Sequence, residues 1–249
     1  MDFKRPARLA LALLACSAGL AVAGDRPYGV IELFTSQGCN SCPPADGNLA
    51  ALSKRGDVIT LGYHVNYWDY LGWRDTLATP ENTARQNEYK KSFQARSVYT
   101  PQAVVNGRVH VNGAQRQALE GALSSLSMNG DGMDVSVDVE RRGDTVVITA
   151  GDDPERRDAH IMLVYYDRPT SIEVADGENS GQRIFYVNPV TRFQTAGMWH
   201  GEKKQFELPA SEFARNGAGG CAILLQSVAR DGGPGPILGA ANLPATPSQ

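Results

Sequence analysis

A mixed α/β domain followed by an all-β region is the fold class this sequence predicts, and three observations carry it. An apolar run, Val30 to Phe34, leads through a short turn into Cys39-Asn-Ser-Cys42-Pro-Pro, and a second apolar run spans Val58 to His64. Strand, helix and strand at this spacing make a βαβ unit with parallel strands and a right-handed crossover. Next, Asn106-Gly107 separates two β-rich runs, a strong hairpin signal, and a segment of helical period follows it. Finally, the chain beyond residue 130 turns into one short strand pattern after another with no helical period.

The elements can be justified in order. The helix expected from Cys42 to Arg55 places Leu49 and Leu52 on one face, tolerates Pro43 and Pro44 in its first turn, and stops at Gly56. Residues 66–74 form a loop rich in aromatics, with Tyr67, Trp68, Tyr70 and Trp73. Thr79 caps a helix to about Ala95 with Pro80 in its first turn. Because that helix is mostly polar, it reads as an inserted surface helix with Ala84, Tyr89 and Phe93 inward. Ala118, Leu119, Ala122, Leu123 and Leu126 give an amphipathic helix over 114–127. The order is then β-α-β-α-β-β-α.

Met128-Asn-Gly-Asp-Gly132 is a turn-rich break, so the domains are expected at 24–130 and 131–249. Strands are expected at 133–140, 145–150, 159–166, 183–190, 205–208, 221–228 and 237–242, in an antiparallel sandwich.

Residues 1–23 have the pattern of a signal peptide. Lys4, Arg5 and Arg8 precede a short apolar stretch, and Ala21-Val-Ala23 supplies a cleavage pattern. A periplasmic or secreted protein is expected. Leu13-Leu-Ala-Cys16 loosely resembles a lipoprotein box, which would make Cys16 an anchor. The net charge of −3 comes without a basic stripe, which argues against nucleic acid and anionic membrane surfaces as partners. After cleavage only Cys39, Cys42 and Cys221 remain, too few for a disulfide-stapled scaffold.

Cys39-x-x-Cys42 at a helix start points to thiol chemistry, because a helix N-terminus favours the thiolate that attacks disulfides. Cys39, nearer the cap, is the expected nucleophile and the more exposed sulfur. Cys42 is the resolving thiol. His64 ends the neighbouring strand at the same sheet edge, where it can tune a thiolate or shuttle a proton. Tyr67 and Trp68 are candidates for substrate contact or for a small satellite core. Asp69 reads as a turn residue, Cys221 as a small buried hydrophobe, and 177–181 as a hairpin connection.

The runs Phe34-Thr-Ser-Gln-Gly-Cys-Asn-Ser-Cys-Pro-Pro-Ala-Asp, His64-Val-Asn-Tyr-Trp-Asp-Tyr-Leu-Gly-Trp and Tyr99-Thr-Pro-Gln resemble a family of secreted bacterial proteins of unknown function (domain of unknown function 1223). That family is classed as thioredoxin-like. The resemblance implies a cis Pro101 against the cysteine pair, with the Thr100 backbone as an edge that pairs with substrate. It also places Leu33 where thioredoxin-like proteins carry a buried acid. Strand parity turns Glu32 to the other face, so no proton acceptor is identified.

The function expected is thiol–disulfide exchange on exported proteins, with protein thiols or disulfides and a redox partner as its partners and no cofactor. Two alternatives stay open: a secreted protein that binds Cu(I) or another soft metal through Cys39, Cys42 and perhaps His64, and a non-catalytic interaction module.

Overall fold

Alternation along the first strand decides how the layers stack. The computed structural model describes residues 27–216 and 219–245. The signal-like segment and Cys16 lie outside the described residues. Strand β1 (Gly29–Thr35) is buried along its whole length, so both of its faces need an apolar partner. Ile31 and Leu33 face one layer, and Val30 and Phe34 face another.

Helix α1 (Pro43–Ser53) and strand β2 (Val58–His64) complete the βαβ unit, with β1 and β2 parallel and paired from Gly29↔Val58 to Thr35↔His64. Helix α2 (Pro80–Ser92) is capped as expected, Thr79 Oγ1 accepting from the Asn82 N–H at 3.1 Å. Strands β3 (Gln102–Val105) and β4 (Val109–Asn112) form the hairpin. Asn106 and Gly107 have φ of 49° and 63°, and Arg108 N–H donates to Val105 O at 3.0 Å. Two consecutive positive φ angles are what a two-residue hairpin turn requires. The sheet order is β2-β1-β3-β4, with β3 antiparallel to β1. Helix α3 (Arg116–Met128) buries Leu119, Leu123 and Leu126 beside Leu49 and Leu52 of α1, on the Ile31/Leu33 face.

The remaining strands are β5 (Val137–Arg142), β6 (Thr145–Ala150), β7 (Asp158–Tyr166), β8 (Thr170–Glu173), β9 (Arg183–Tyr186), β10 (Val190–His200), β11 (Lys204–Pro209), β12 (Gly220–Val228) and β13 (Pro234–Pro244), with helix α4 (Ala210–Asn216) before β12. They form antiparallel sheets ordered β10-β7-β12-β13 and β11-β6-β5, plus a separate two-stranded ribbon, β8-β9. Ile161, Leu163, Cys221, Ile223 and Leu225 face Val146 and Ile148 of the three-stranded sheet. Val164, Tyr166, Ala222 and Leu224, on the opposite face, pack against Val30, Phe34, Leu61 and Tyr63. The layers therefore run helices α1 and α3, first sheet, four-stranded sheet, three-stranded sheet. The two halves of the chain share one apolar cluster across the middle.

Several expectations need correction. Helix α2 turns Tyr89 and Phe93 inward as expected, but Ala84 is exposed, and Asn82, Arg85 and Gln86 are buried where a surface helix would expose them. Polar side chains turn inward because Arg85 finds Glu32. The expected strand 183–190 is β9 with only Val190 in β10, and the rest of β10, β8 and α4 carry no signal of their own in the sequence reading.

Candidate functional site

The site lies where β1 and β2 end and β3 begins. Thr35 pairs with His64, and the Phe34↔Gln102 register brings Pro101 to the same edge on the other side of β1. The Thr100–Pro101 bond is cis. From Thr35 the chain turns through Ser36-Gln-Gly38 into Cys39 and Cys42, which form a disulfide at the start of α1. Cys42 is the N-cap residue of that helix.

Two local features differ from expectation. The first concerns access. Cys39 is 1% exposed and Cys42 0%, so the nucleophile is not the open sulfur the cap position suggested; only Asn40 and Ser41 between them reach solvent. The second concerns donors. Pro43 and Pro44 occupy the first turn and have no N–H to offer a thiolate, and the Cys42 N–H is spent on Cys39 O at 3.1 Å. What remains beside Cys39 Sγ is the Ser41 hydroxyl at 3.4 Å, together with the helix dipole.

A buried carboxyl that the sequence reading did not single out comes from the helix itself. Asp46 lies one turn after Cys42, on the same inward face as Leu49, and is buried. Its Oδ1 accepts from Thr35 Oγ1 at 2.8 Å, while its Oδ2 has no partner among the described residues. Burial pushes its carboxyl up to about 7, against the opposing pull of nearby His64 and the Thr35 hydrogen bond. The i, i+4 relation to Cys42 was visible in the sequence and is the signal that could have found it.

His64 is buried and held by Asp75. Burial lowers its pKa, but Asp75 and then Asp46 outweigh that, and the net shift is upward. Burial likewise tends to raise Asp75, yet His64 and the Gln37 and Leu77 N–H groups bring it below the usual carboxylate range. An ionised Asp75 can only accept, so His64 carries a proton on Nδ1 and donates it to Asp75 Oδ2 at 2.8 Å. Asp75 Oδ2 also accepts from the Gln37 N–H at 2.8 Å, which ties the histidine to the cysteine turn. Gln37 binds further to Trp73 Nε1 through its Oε1 at 2.9 Å. Neither Gln37 nor Asp75 was singled out from the sequence.

Of the remaining candidates, Trp68 bridges the two sides of the site. Its Nε1 donates to Thr100 Oγ1 at 2.8 Å. A Cβ at Gly38 would lie 3.2 Å from Trp68 Cβ and 3.3 Å from Trp68 O, so any side chain here would press on the Trp68 backbone. Tyr67 packs beside Trp68, and both lean on the central apolar cluster. Of the aromatics in that loop only Tyr70 stands out to solvent, 77% exposed. Asp69 is a turn residue, its Oδ1 accepting from the Asp75 N–H at 3.1 Å. Cys221 is in the core, its thiol pushed up to about 12 by burial.

The loop 177–181 is more than a hairpin connection. It lies over the cysteine turn, where the buried Asn179 donates from Nδ2 to Gln37 O and Cys39 O, each at 2.9 Å. Tyr186 of β9 sits edge-on to His64 with ring centroids 4.6 Å apart.

Among the described residues, no group of three or more His, Cys, Asp and Glu side chains is placed to hold a metal ion. The trio Cys39, Cys42 and His64 is thus not assembled as ligands: the sulfurs are bonded to each other and His64 Nδ1 is committed to Asp75. Among the described residues no helix is long and apolar enough to cross a membrane.

Comparison with known proteins agrees with this architecture. A crystal structure of a protein from Agrobacterium tumefaciens is similar, at 41% identity and a TM-score of 0.82, the match covering 91% of this chain and 98% of that one. Comparison with curated proteins gave no match. Residues 30–226, most of the chain and all of the site, match the family described as proteins of unknown function (DUF1223), and the chain belongs to that family.

Proposed function

We propose that this protein is a thioredoxin-like thiol–disulfide oxidoreductase acting on exported proteins outside the cytoplasm. The observation that carries the proposal is the Cys39–Cys42 disulfide at the start of α1 with the buried, half-paired carboxylate of Asp46 one turn behind Cys42. The sheet order β2-β1-β3-β4 and Pro101 at the cysteine edge support the thioredoxin-like reading. The signal-like residues 1–23 support the compartment.

The chemistry balances on this chain's own groups. From the oxidised pair, a partner thiolate attacks Cys39 Sγ, the Cys39–Cys42 bond breaks, and protonated Asp46 gives its proton to the departing Cys42 sulfur. A second partner thiolate then attacks the partner sulfur of the mixed disulfide and releases Cys39. The partner leaves as a disulfide, and two electrons remain on the cysteine pair. In reverse, Cys39 thiolate attacks a partner disulfide and ionised Asp46 takes the Cys42 proton as that sulfur resolves the adduct. A carboxyl at about 7 is matched to both directions. Asp75 positions His64, whose charge favours the ionised form of Asp46.

Burial of both sulfurs favours one rival, a permanent staple. Magnitude argues against it: closing a loop this short stabilises by only about 2 kcal/mol on the chain-entropy estimate. The test is trapping. Reduced Cys42→Ser protein, incubated with a disulfide-linked peptide, should accumulate a mixed disulfide on Cys39 seen by mass spectrometry. Cys39→Ser should give about tenfold less, because Cys42 is the resolving thiol and not the attacking one. Absence of adduct from either variant would leave the staple as the function of the pair.

A further inference from the structure

We propose that Asn179 is the latch of a gate, the β8–β9 ribbon with its connecting loop, and that it determines which thiols reach Cys39. This rests on the exchange reading for its purpose, though not for its test. Three observations meet here. Both sulfurs are closed off while the residues between them are exposed. The covering segment comes from a distant part of the chain and pairs with neither large sheet, so it can move without breaking their ladders. Two-stranded ribbons by themselves are marginally stable, and such segments open at low cost.

The hold on the cysteine turn is concentrated in one side chain. Asn179 is fully buried and its single Nδ2 serves both Gln37 O and Cys39 O. Gln182 Nε2 donates to Asn179 Oδ1 at 3.2 Å, which fixes the amide so that its nitrogen faces the two carbonyls. A long contact, Asn40 N–H to Glu178 Oε2 at 3.4 Å, adds little. Behind the latch, Val174, Ile184 and Tyr186 pack on Trp73 and Leu77 and form the apolar seat of the ribbon. Closed, the ribbon shields Cys39 from thiols of every size. Opened, it uncovers the sulfur beside Trp68 and Thr100, and a partner that engages the ribbon gains access that a free small thiol does not.

The experiment is the rate of reduction of the Cys39–Cys42 disulfide in the purified protein, by tris(2-carboxyethyl)phosphine and separately by reduced thioredoxin, followed by alkylation and mass measurement. Asn179→Ala leaves the buried Gln37 carbonyl without its donor and Cys39 O with the Cys42 N–H alone in the closed state, so both rates should rise about tenfold. Gln182→Ala, at an exposed position that does not threaten folding, should raise them less, and Glu178→Gln should change them by less than about twofold. Equal rates for wild type and Asn179→Ala overturn the latch. If Asn179→Ala does not fold, an unchanged rate in Gln182→Ala overturns it instead. The two readings fail separately: faster reduction in these variants with no Cys42→Ser adduct leaves a gate over an inert disulfide. An adduct with unchanged reduction rates leaves exchange without this gate.

Discussion

Two buried polar clusters sit on opposite faces of the first sheet, and they are built to different rules. On the face toward the four-stranded sheet, both carboxylate oxygens of Glu32 are bonded. Arg85 Nε reaches Oε1 at 2.8 Å, and the Tyr89 hydroxyl donates to Oε2. Arg85 Nη2 continues to Gln226 Oε1 at 2.8 Å, and Gln226 Nε2 donates to Tyr89 Oη and Gly235 O. On the helix face, Asp46 keeps one oxygen unpaired and the Tyr186 hydroxyl beside it has no partner among the described residues. A closed network of charges has nothing left to exchange and binds the two halves of the chain together. An open one keeps an oxygen free to hold a proton, one helical turn after Cys42. The same depth of burial thus serves cohesion on one face and, on the proposed function, proton transfer on the other.

The largest effect should come from breaking the closed network. Arg85→Met strands the Glu32 charge in the interior and should cost about 3–5 kcal/mol by urea unfolding. Adding Glu32→Leu to the same chain should recover most of that loss, because the uncompensated charge and not the lost contact is what destabilises. Failure of the double variant to recover would mean that the network holds the halves together by its geometry.

Asp46 should reveal itself through pH. Its folded value of about 7 lies above the ordinary 3.8, so between those values the folded chain keeps a proton that the unfolded chain has released. Stability should therefore fall as pH rises across that window, by at most about 1.4 kcal/mol per pH unit. His64 acts in the same direction but later. Its raised pKa stabilises fully below 6.5, and that contribution is lost as pH rises through the folded value. Asp46→Asn should flatten the profile between pH 4 and 6 and leave only the decline near neutrality. An unaltered slope would remove Asp46 from the titrating site.

The smallest effect calibrates the others. Arg116 and Glu120 form an exposed i, i+4 pair at 2.9 Å, and Glu120→Ala should change stability by no more than about 0.5 kcal/mol. A loss approaching that of Arg85→Met would show that burial is not what separates the two kinds of ion pair.

Much of this architecture was legible because it is local. The βαβ unit follows from the apolar runs around Cys39 and Cys42, and the hairpin from the positive φ angles that Asn106 and Gly107 accept. The turn of Glu32 to the sheet face opposite Leu33 follows from strand parity alone. Helix α2 was misjudged for the opposite reason: Arg85 and Gln86 read as solvent-facing on an isolated helix. Only Glu32 and Gln226, which are 53 and 141 positions away from Arg85, make its burial tolerable, and Tyr99 O and Gln102 Oε1 do the same for Gln86. Asp46 stands between these cases, its position on the inward face readable from Cys42 and Leu49 but its unpaired oxygen not.

Sequence by itself determined the cysteine pair at a helix start, the sheet edge it shares with His64, and the periodicities that build each layer, while the place of Pro101 came only through the family resemblance. These are short-range properties, set by backbone geometry and side-chain spacing. Tertiary structure alone decided that the sulfurs are covered, that Asp75 holds His64, and that Asn179 closes the site from 140 residues away. Such contacts depend on which surfaces the packed layers bring together, and no local pattern encodes a hydrogen bond between segments that only the finished fold makes neighbours.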